Sequence, residues 1–335
     1  PLDKSTIYTV RLAKTVRHPD NLYMVNDFVF QFRTRSRNEL KLLSSYPMPD
    51  ETHVDYKWPL FTFVFDKKLQ TTELIDGVQV YDKNGKKITK NLRSLRHNTV
   101  QTPYGSTSFI VGQDLTPGQE YVVKLAKGIT DIDGVYLTDT LKIPFTASDE
   151  RVTDRMVAEN FETAGKISVD EIQGRNVTSA SVQSSSSTRL FDTYSYNLKY
   201  TFSDKTGGEV VYKLNTPTLN VNRDSVMGLH LYGDLSGNEL YLMFTSGNDM
   251  RFIHADSIHY GFWKYVEVPL RSLPAQAVYQ FAGIKLVQTA APLSNTGNLF
   301  IDNVLVYTKP LSFVSSPKLK GVKVYPNPVS DILYV

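Results

Sequence analysis

Two stretches of this chain are versions of one another, and this limits the folds open to it more than composition does. Sliding the sequence by 113 residues lays 1–34 (PLDKSTIYTVRLAKTVRHPDNLYMVNDFVFQFRT) on 114–147 (DLTPGQEYVVKLAKGITDIDGVYLTDTLKIPFTA) without a gap. Leu2, Tyr8, Val10, Leu12, Ala13, Lys14, Asp20, Tyr23 and Phe32 fall on Leu115, Tyr121, Val123, Leu125, Ala126, Lys127, Asp133, Tyr136 and Phe145. Each copy holds one strand (YTVRL, YVVKL), a turn (HPDN, DIDG) and a second alternating strand (FVFQF, LKIPF). Apolar residues at every second position turn one face of each strand to a core. A period of 113 residues suits a seven-stranded sandwich of about 100 residues plus a linker. The repeat predicts that 1–36 is the second half of a module whose first half lies outside this sequence, and that 37–148 is a whole copy.

Composition agrees and removes several classes of function. Tyr 20 and Phe 17 against Trp 2, set among Val, Ile and Thr, favour strands, so an all-β chain is expected. Lys+Arg 37 against Asp+Glu 34 leaves a net charge of +3, without the clustered basic excess that nucleic acid requires. No apolar run reaches a membrane span, and no signal peptide opens the sequence. With Cys at 0, disulfides, thiolate zinc sites and thiol catalysis are excluded. That count does not fix the compartment, because a domain with a sizeable core needs no staples.

In the whole copy, Tyr46-Pro47-Met48-Pro49 leads into LFTFVFDKKL, VQVYDKNGKKI and STSFIVGQDLTPGQEYVVKL. Phe61, Phe63, Phe65, Leu69, Asp82, Gly85, Leu115, Pro117, Gly118, Tyr121, Asp131, Gly134 and Phe145 carry a pattern that resembles bacterial Ig-like domains. The resemblance implies a spacer that sets a binding or catalytic domain away from a cell surface. Asp82-Lys83-Asn84-Gly85 and Asp131-Ile132-Asp133-Gly134 end in glycine as calcium loops do. Neither register supplies the first ligand or the closing Glu, so both are expected to be hairpin turns.

Residues 149–159 (DERVTDRMVAE) lose the alternation and read as a linker, 149–154, with one helical turn. From 155 to 308 short strands follow one another across Gly, Asn, Asp and Ser turns (NLKYTFSD, GEVVYKLN, MGLHLYGD, ELYLMFTS, WKYVEVPL, GIKLVQT, LFIDNVLVYT), which indicates a jelly-roll sandwich. The run from NFET to IDNVLVY is similar to the carbohydrate-binding-module-like jelly rolls of secreted bacterial proteins, in particular those accompanying phosphodiester glycosidase domains. The resemblance implies a glycan partner, and a structural calcium tying the first strand to the last through Glu162 and Asp302. Calcium asks for six to eight oxygens; the alternative is that Asp302 caps turn amides.

Alternation in MGLHLYGD puts Leu229 and Leu231 on one face and His230 and Tyr232 on the other. With the leucines in the core, His230, Tyr232 and Asp234 line the outer surface, where Tyr241 and Arg251 join them as a sugar platform. The plainer reading of that face is a solvated polar surface. Trp263 and Trp58 are expected to pack rather than to bind. Among the six His there is no HExxH pair, and Ser106 lacks a nucleophile elbow, so no enzyme site is expected in this chain.

After a Pro/Ser/Lys linker, 309–321, comes VKVYPNPVSDILYV. Tyr325, Pro326, Asn327 and Pro328 resemble the start of the type IX secretion sorting domain of Bacteroidota. The resemblance implies the type IX secretion machinery as a partner, passage through the periplasm, and a secreted or cell-surface location. The sequence thus reads as a non-catalytic accessory region, with two rivals: an appendage of a larger carbohydrate-active enzyme, or a structural adhesin without a small ligand.

Overall fold

The computed structural model describes residues 2–3, 6–16, 24–34, 39–70, 77–88, 93–97, 104–111, 113–150, 152–172, 174–203, 207–215, 219–275, 277–289 and 292–309. The sorting-motif residues Tyr325 to Pro328 lie outside them. The described elements are strands, and no helix among them is long and apolar enough to cross a membrane. The chain is all-β.

At the N-terminus β1 (Ile7–Leu12) and β2 (Phe28–Arg33) form an antiparallel pair. A first sandwich follows. One of its sheets has the order β4 (Glu51–Val54), β10 (Leu141–Ala147), β9 (Glu120–Leu125), β6 (Val78–Asp82). The other runs β3 (Leu42–Tyr46), β5 (Leu60–Phe65), β8 (Gly105–Ile110), β7 (Arg93–His97). Alternate residues meet between the sheets: Phe61, Phe63, Phe65 and Phe109 pack against Tyr121, Val123, Ile143 and Phe145 in one core. Both candidate calcium loops are turns. Asp82 Oδ1 accepts from the Asn84 and Lys86 amides, and Asp131 Oδ1 from those of Asp133 and Val135. Gly85 and Gly134 take the positive φ, 80° and 76°, that closes each turn.

The segment expected to hold a helical turn is instead strand β11 (Thr153–Glu159), antiparallel to β22 (Thr296–Thr308). Partner edges decided this: β22 is 13 residues long, and β14 (Ser195–Phe202) covers its first half, leaving the second half for β11. In the second sandwich one sheet has the order β13 (Val177–Ser185), β14, β22, β17 (Ser225–Tyr232), β20 (Trp263–Pro269). The other has β12 (Ile167–Val169), β15 (Glu209–Leu214), β21 (Tyr279–Val287), β18 (Glu239–Ser246), β19 (Asp249–Ser257). β16 (Asn220–Val221) adds to β21. Leu229 and Leu231 face the core between these sheets, with Leu198, Leu240, Leu242, Ile284 and Ile301.

The two sandwiches are packed on each other. The outer faces of β5 and β8 meet the outer faces of β17, β20 and β22, so that Leu60, Ile110, Leu190, Tyr232, Trp263 and Phe300 form one buried apolar cluster. Thr62 Oγ1 donates to the Trp263 carbonyl at 2.8 Å, and the Gly261 amide to Tyr104 Oη at 2.9 Å. A sheet-on-sheet seam of this kind buries apolar area from both modules at once.

Candidate functional site

Burial decides the fate of the expected sugar platform. His230 and Tyr232 do point away from the leucine face, but each is only 2 % exposed, because the first sandwich covers them. Phe191 and Tyr265 rings flank His230 at 4.8 Å on either side, and its Nδ1 lies 3.4 Å from the Asn303 carbonyl. Burial holds the His230 pKa down at about 3, so this ring is neutral. Trp263 packs as expected, though in the seam, not in the core of its own module; Trp58 joins it there against Phe191.

The remaining platform residues are not brought together. Asp234 accepts from Tyr200 Oη at 2.8 Å, the Asn298 amide at 3.0 Å and the Ser236 amide at 3.1 Å. It pins the turn after β17 to β14 and β22, and burial raises its pKa. Tyr241 stands on the outer face of the other sheet. Its ring meets His254 edge-on at 5.3 Å, and His254 Nε2 is 2.5 Å from Glu239. Beside them Lys285 Nζ sits 4.8 Å over the Phe252 ring and 2.5 Å from Glu209. Arg251 alternates to the opposite side of β19, where it and Tyr279 Oη both donate to Asp249.

Glu162 and Asp302 hold one loop from two sides. Asp302 Oδ2 accepts from the Leu190 and Phe191 amides at 2.6 and 2.9 Å, and Glu162 Oε1 from those of Thr193 and Tyr194 at 3.0 and 2.8 Å. Amide capping is thus realised at both residues. Asp302 Oδ1 is left buried without a partner. Burial, opposed by the two amides and reinforced by the charges of Glu162 and Asp192, raises the Asp302 pKa to about 7. That orphaned oxygen suits a cation. Among the described residues, however, no group of three or more His, Asp or Glu side chains is placed to hold a metal, so backbone carbonyls would have to fill most of a calcium shell.

The seam itself opens into a cleft at one side. β3 and β20 are the free edges of the two sheets that meet there. Between them lies an apolar cavity of about 330 Å³, walled by Tyr46, Met48, Leu60 and Val64 from the first sandwich and by Tyr260, Phe262, Trp263 and Tyr265 from the second. Tyr46 and Tyr265 also line an adjoining polar cavity of about 300 Å³, with Asp55, Arg155, Glu150, Glu267 and Lys309. Arg155, its side chain 2 % exposed, reaches from β11 to Asp55 at 2.5 Å and donates to the Lys57 carbonyl at 2.8 Å. Its Nε is buried without a partner, and its guanidinium lies over the Tyr307 ring at 5.0 Å. Burial raises the Asp55 pKa, against the pull of the Arg155 charge. Lys309 Nζ bridges Glu267 at 2.8 Å and Glu150 at 3.4 Å.

Sequence reasoning missed this cleft because its walls come from two modules. Tyr46 and Met48 read as a proline-rich lead-in, and Arg155 as one charge among many in a linker. One signal was available: LFTFVF is apolar or small at every position and buried at all six. A sandwich strand with that pattern has both faces covered.

No protein-family profile matches this chain, and no curated protein matches it. Several solved structures are similar to it. One is from a study of promiscuous specificity in carbohydrate-binding modules of the β-sandwich superfamily, at 17 % identity and TM-score 0.35, covering 80 % of this chain and 98 % of that one. The C-terminal family 22 carbohydrate-binding module of Clostridium thermocellum Xyn10B aligns at 15 % identity and TM-score 0.29, over 45 % and 90 %. The tandem family 22 modules of Paenibacillus barcinonensis Xyn10C align at 10 % identity and TM-score 0.27, over 91 % and 92 %.

Proposed function

We propose that this chain is a non-catalytic accessory region of a secreted protein and that it binds a glycan in the cleft between its two sandwiches. The observation that carries the reading is the cleft's construction, with aromatic rings on both walls of a cavity of about 330 Å³ that adjoins a polar cavity lined by Asp55, Glu150, Glu267 and Lys309. Sugar rings stack on aromatic faces, and their hydroxyls are matched by planar charged groups. A binding site shared by two modules also accounts for the seam, because cleft geometry survives only if the modules do not move apart. The plain spacer or adhesin reading explains the seam but gives no role to the ring-lined opening.

Glycan-array screening followed by titration tests this. Tyr46→Ala and Phe262→Ala are each expected to weaken binding by roughly two- to tenfold, the scale of losing one stacking ring, with the melting temperature followed in parallel. If Tyr241→Ala and Phe252→Ala abolish binding and the cleft variants do not, the open sheet face is the site. An array with no binder favours the adhesin.

The proposal has two further parts. A structural calcium would engage Asp302 Oδ1, with Glu162 nearby, and its support is that one orphaned oxygen. Export by the type IX machinery rests on the likeness of Tyr325, Pro326, Asn327 and Pro328 to the sorting motif. Removing 322–335 from the parent protein is expected to retain it in the periplasm; normal appearance outside the cell refutes the assignment. An enzymatic domain elsewhere in the parent is compatible with this accessory role.

A further inference from the structure

The hairpin β1–β2 repeats the hairpin β9–β10 in detail, not only in sequence. Tyr8, Val10 and Leu12 pair with Phe32, Phe30 and Phe28, as Tyr121, Val123 and Leu125 pair with Phe145, Ile143 and Leu141. The Tyr8 and Phe32 rings stack at 5.7 Å and 21°, those of Tyr121 and Phe145 at 5.5 Å and 21°. The Asp3 amide donates to Tyr8 Oη, and the Thr116 amide to Tyr121 Oη. The Thr34 amide donates to the Thr6 carbonyl, and the Ala147 amide to that of Gln119. The Lys14 amide donates to Asp27, and the Lys127 amide to Thr140. Every one of these pairs is related by the same shift of 113 residues.

Only the surroundings differ. In β9–β10 the inner face is sealed, with Tyr121, Val123, Leu125, Ile143 and Phe145 all at most 4 % exposed. It packs on Phe61, Phe63 and Phe109 of the opposite sheet. In β1–β2 the equivalents of Leu125, Ile143 and Phe145, which are Leu12, Phe30 and Phe32, are 43, 42 and 39 % exposed, Tyr8 and Val10 are half-buried, and Phe28, which matches the half-buried Leu141, is 53 % exposed. An aromatic face of that kind marks a contact surface, and a lone two-stranded hairpin is marginal in water.

We propose that β1–β2 is the closing hairpin of another sandwich built like the first, and that its Tyr8–Leu12/Phe28–Phe32 face is covered by a phenylalanine-bearing sheet equivalent to β3–β5–β8–β7. The covering sheet belongs to polypeptide N-terminal to the hairpin, because β3 to β8 all precede β9 in the complete copy. The edges are assigned too. β1 receives an antiparallel strand as β9 receives β6, and β2 a parallel strand as β10 receives β4. The occupant is therefore defined by chemistry and register: alternate Phe on an inward face, with edge strands of fixed direction.

The repeat supplies its own test. Residue 1 stands to 113 as 114 does, so placing 37–113 directly before Pro1 rebuilds a full-length copy from sequence already present. The protein has Cys at 0, so Leu12→Cys gives a single reporter thiol. In the 335-residue chain the thiol of the Leu12→Cys variant is expected to react at nearly the rate of an unfolded thiol, at every protein concentration, whereas that of Leu125→Cys is protected. In the fusion the Leu12→Cys thiol should slow at least about tenfold, since labelling then needs an opening event. A second fusion carrying Phe28→Leu and Phe30→Ile, which match Leu141 and Ile143, covers the case in which the larger rings overpack. A Leu12→Cys thiol left unprotected in both fusions overturns the proposal. Protection that appears in the 335-residue chain as its concentration rises also overturns it, by making a second copy the occupant.

Discussion

The second sandwich has two outer faces that look alike in sequence and behave differently in the fold. On one sheet His230, Tyr232, Trp263 and Phe300 point outward and are at most 8 % exposed, because the first sandwich lies on them. On the other sheet Tyr241, Phe252, His254 and Lys285 stand on the outer face, with Phe252 at 37 % and the His254 side chain at 50 % exposed, while Tyr241 and Lys285 are half-buried. Both faces mix aromatics with a histidine. What separates them is whether a complementary surface exists elsewhere in the chain, and Leu60, Thr62 and Ile110 supply it for the first face alone. An aromatic sheet face therefore says that something covers it, without saying whether that is a ligand or a neighbouring module.

The sharpest way to break the contrast is to remove the seam's central side chain. Trp263→Ala empties a fully buried site and should cost about 3–5 kcal/mol, read as a fall in denaturation midpoint. It should also separate the unfolding of the two sandwiches into distinct transitions, because the cluster spans both. A single transition with an unchanged midpoint would show that the seam carries no coupling.

A smaller effect sits in the titration of the same face. The Asp302 pKa of about 7 in the fold exceeds its ordinary value near 3.9, so its contribution is present at low pH and lost as pH rises towards 7. His230 has the opposite sign. Its pKa of about 3 lies below the ordinary value near 6.5, so its contribution is present above that value and lost as pH falls. The two oppose each other between about pH 4 and 6.5. Asp302→Asn is expected to uncover the histidine, making the loss of stability from pH 7.5 to 5 steeper than in the parent chain by roughly 1–3 kcal/mol. Urea midpoints at the two pH values measure it, and parallel slopes in variant and parent would refute it. A chelator arm in the same series tests calcium. A bound ion would keep Asp302 ionised and make the parent, but not the variant, melt lower on chelation.

How much of this was legible in the sequence follows the same division. Leu229 and Leu231 were placed in a core by alternation alone, and the repeat of 1–34 in 114–147 extends to hydrogen bonds and ring stacking. These are local or periodic facts, carried by near neighbours in sequence or by the two strands of a single hairpin. The seam was not legible, since Leu60 meets Trp263 only after both sandwiches exist. Nor was the strand character of Thr153–Glu159, which comes from the stretch of β22 edge that β14 leaves uncovered rather than from its own charged sequence. Arg155 reads as solvated among Asp and Arg neighbours, yet it is the side chain that ties β11 to Asp55.

The open face should respond least. Phe252 lies on the edge strand β19 and is 37 % exposed, and its contact with Lys285 at 4.8 Å is of the solvent-accessible kind that contributes about 0.5–1 kcal/mol. Phe252→Ala is expected to move the denaturation midpoint by no more than that and to leave both sandwiches unfolding together. The contrast with Trp263→Ala is the point of the measurement, because the two rings occupy equivalent outward positions on opposite sheets of one sandwich. A loss from Phe252→Ala as large as that from Trp263→Ala would mean that a further surface covers this face too. In that case Tyr241, Phe252 and His254 would belong to a second seam, and the cleft beside Tyr46 would be left as the ring-lined opening with access to solvent.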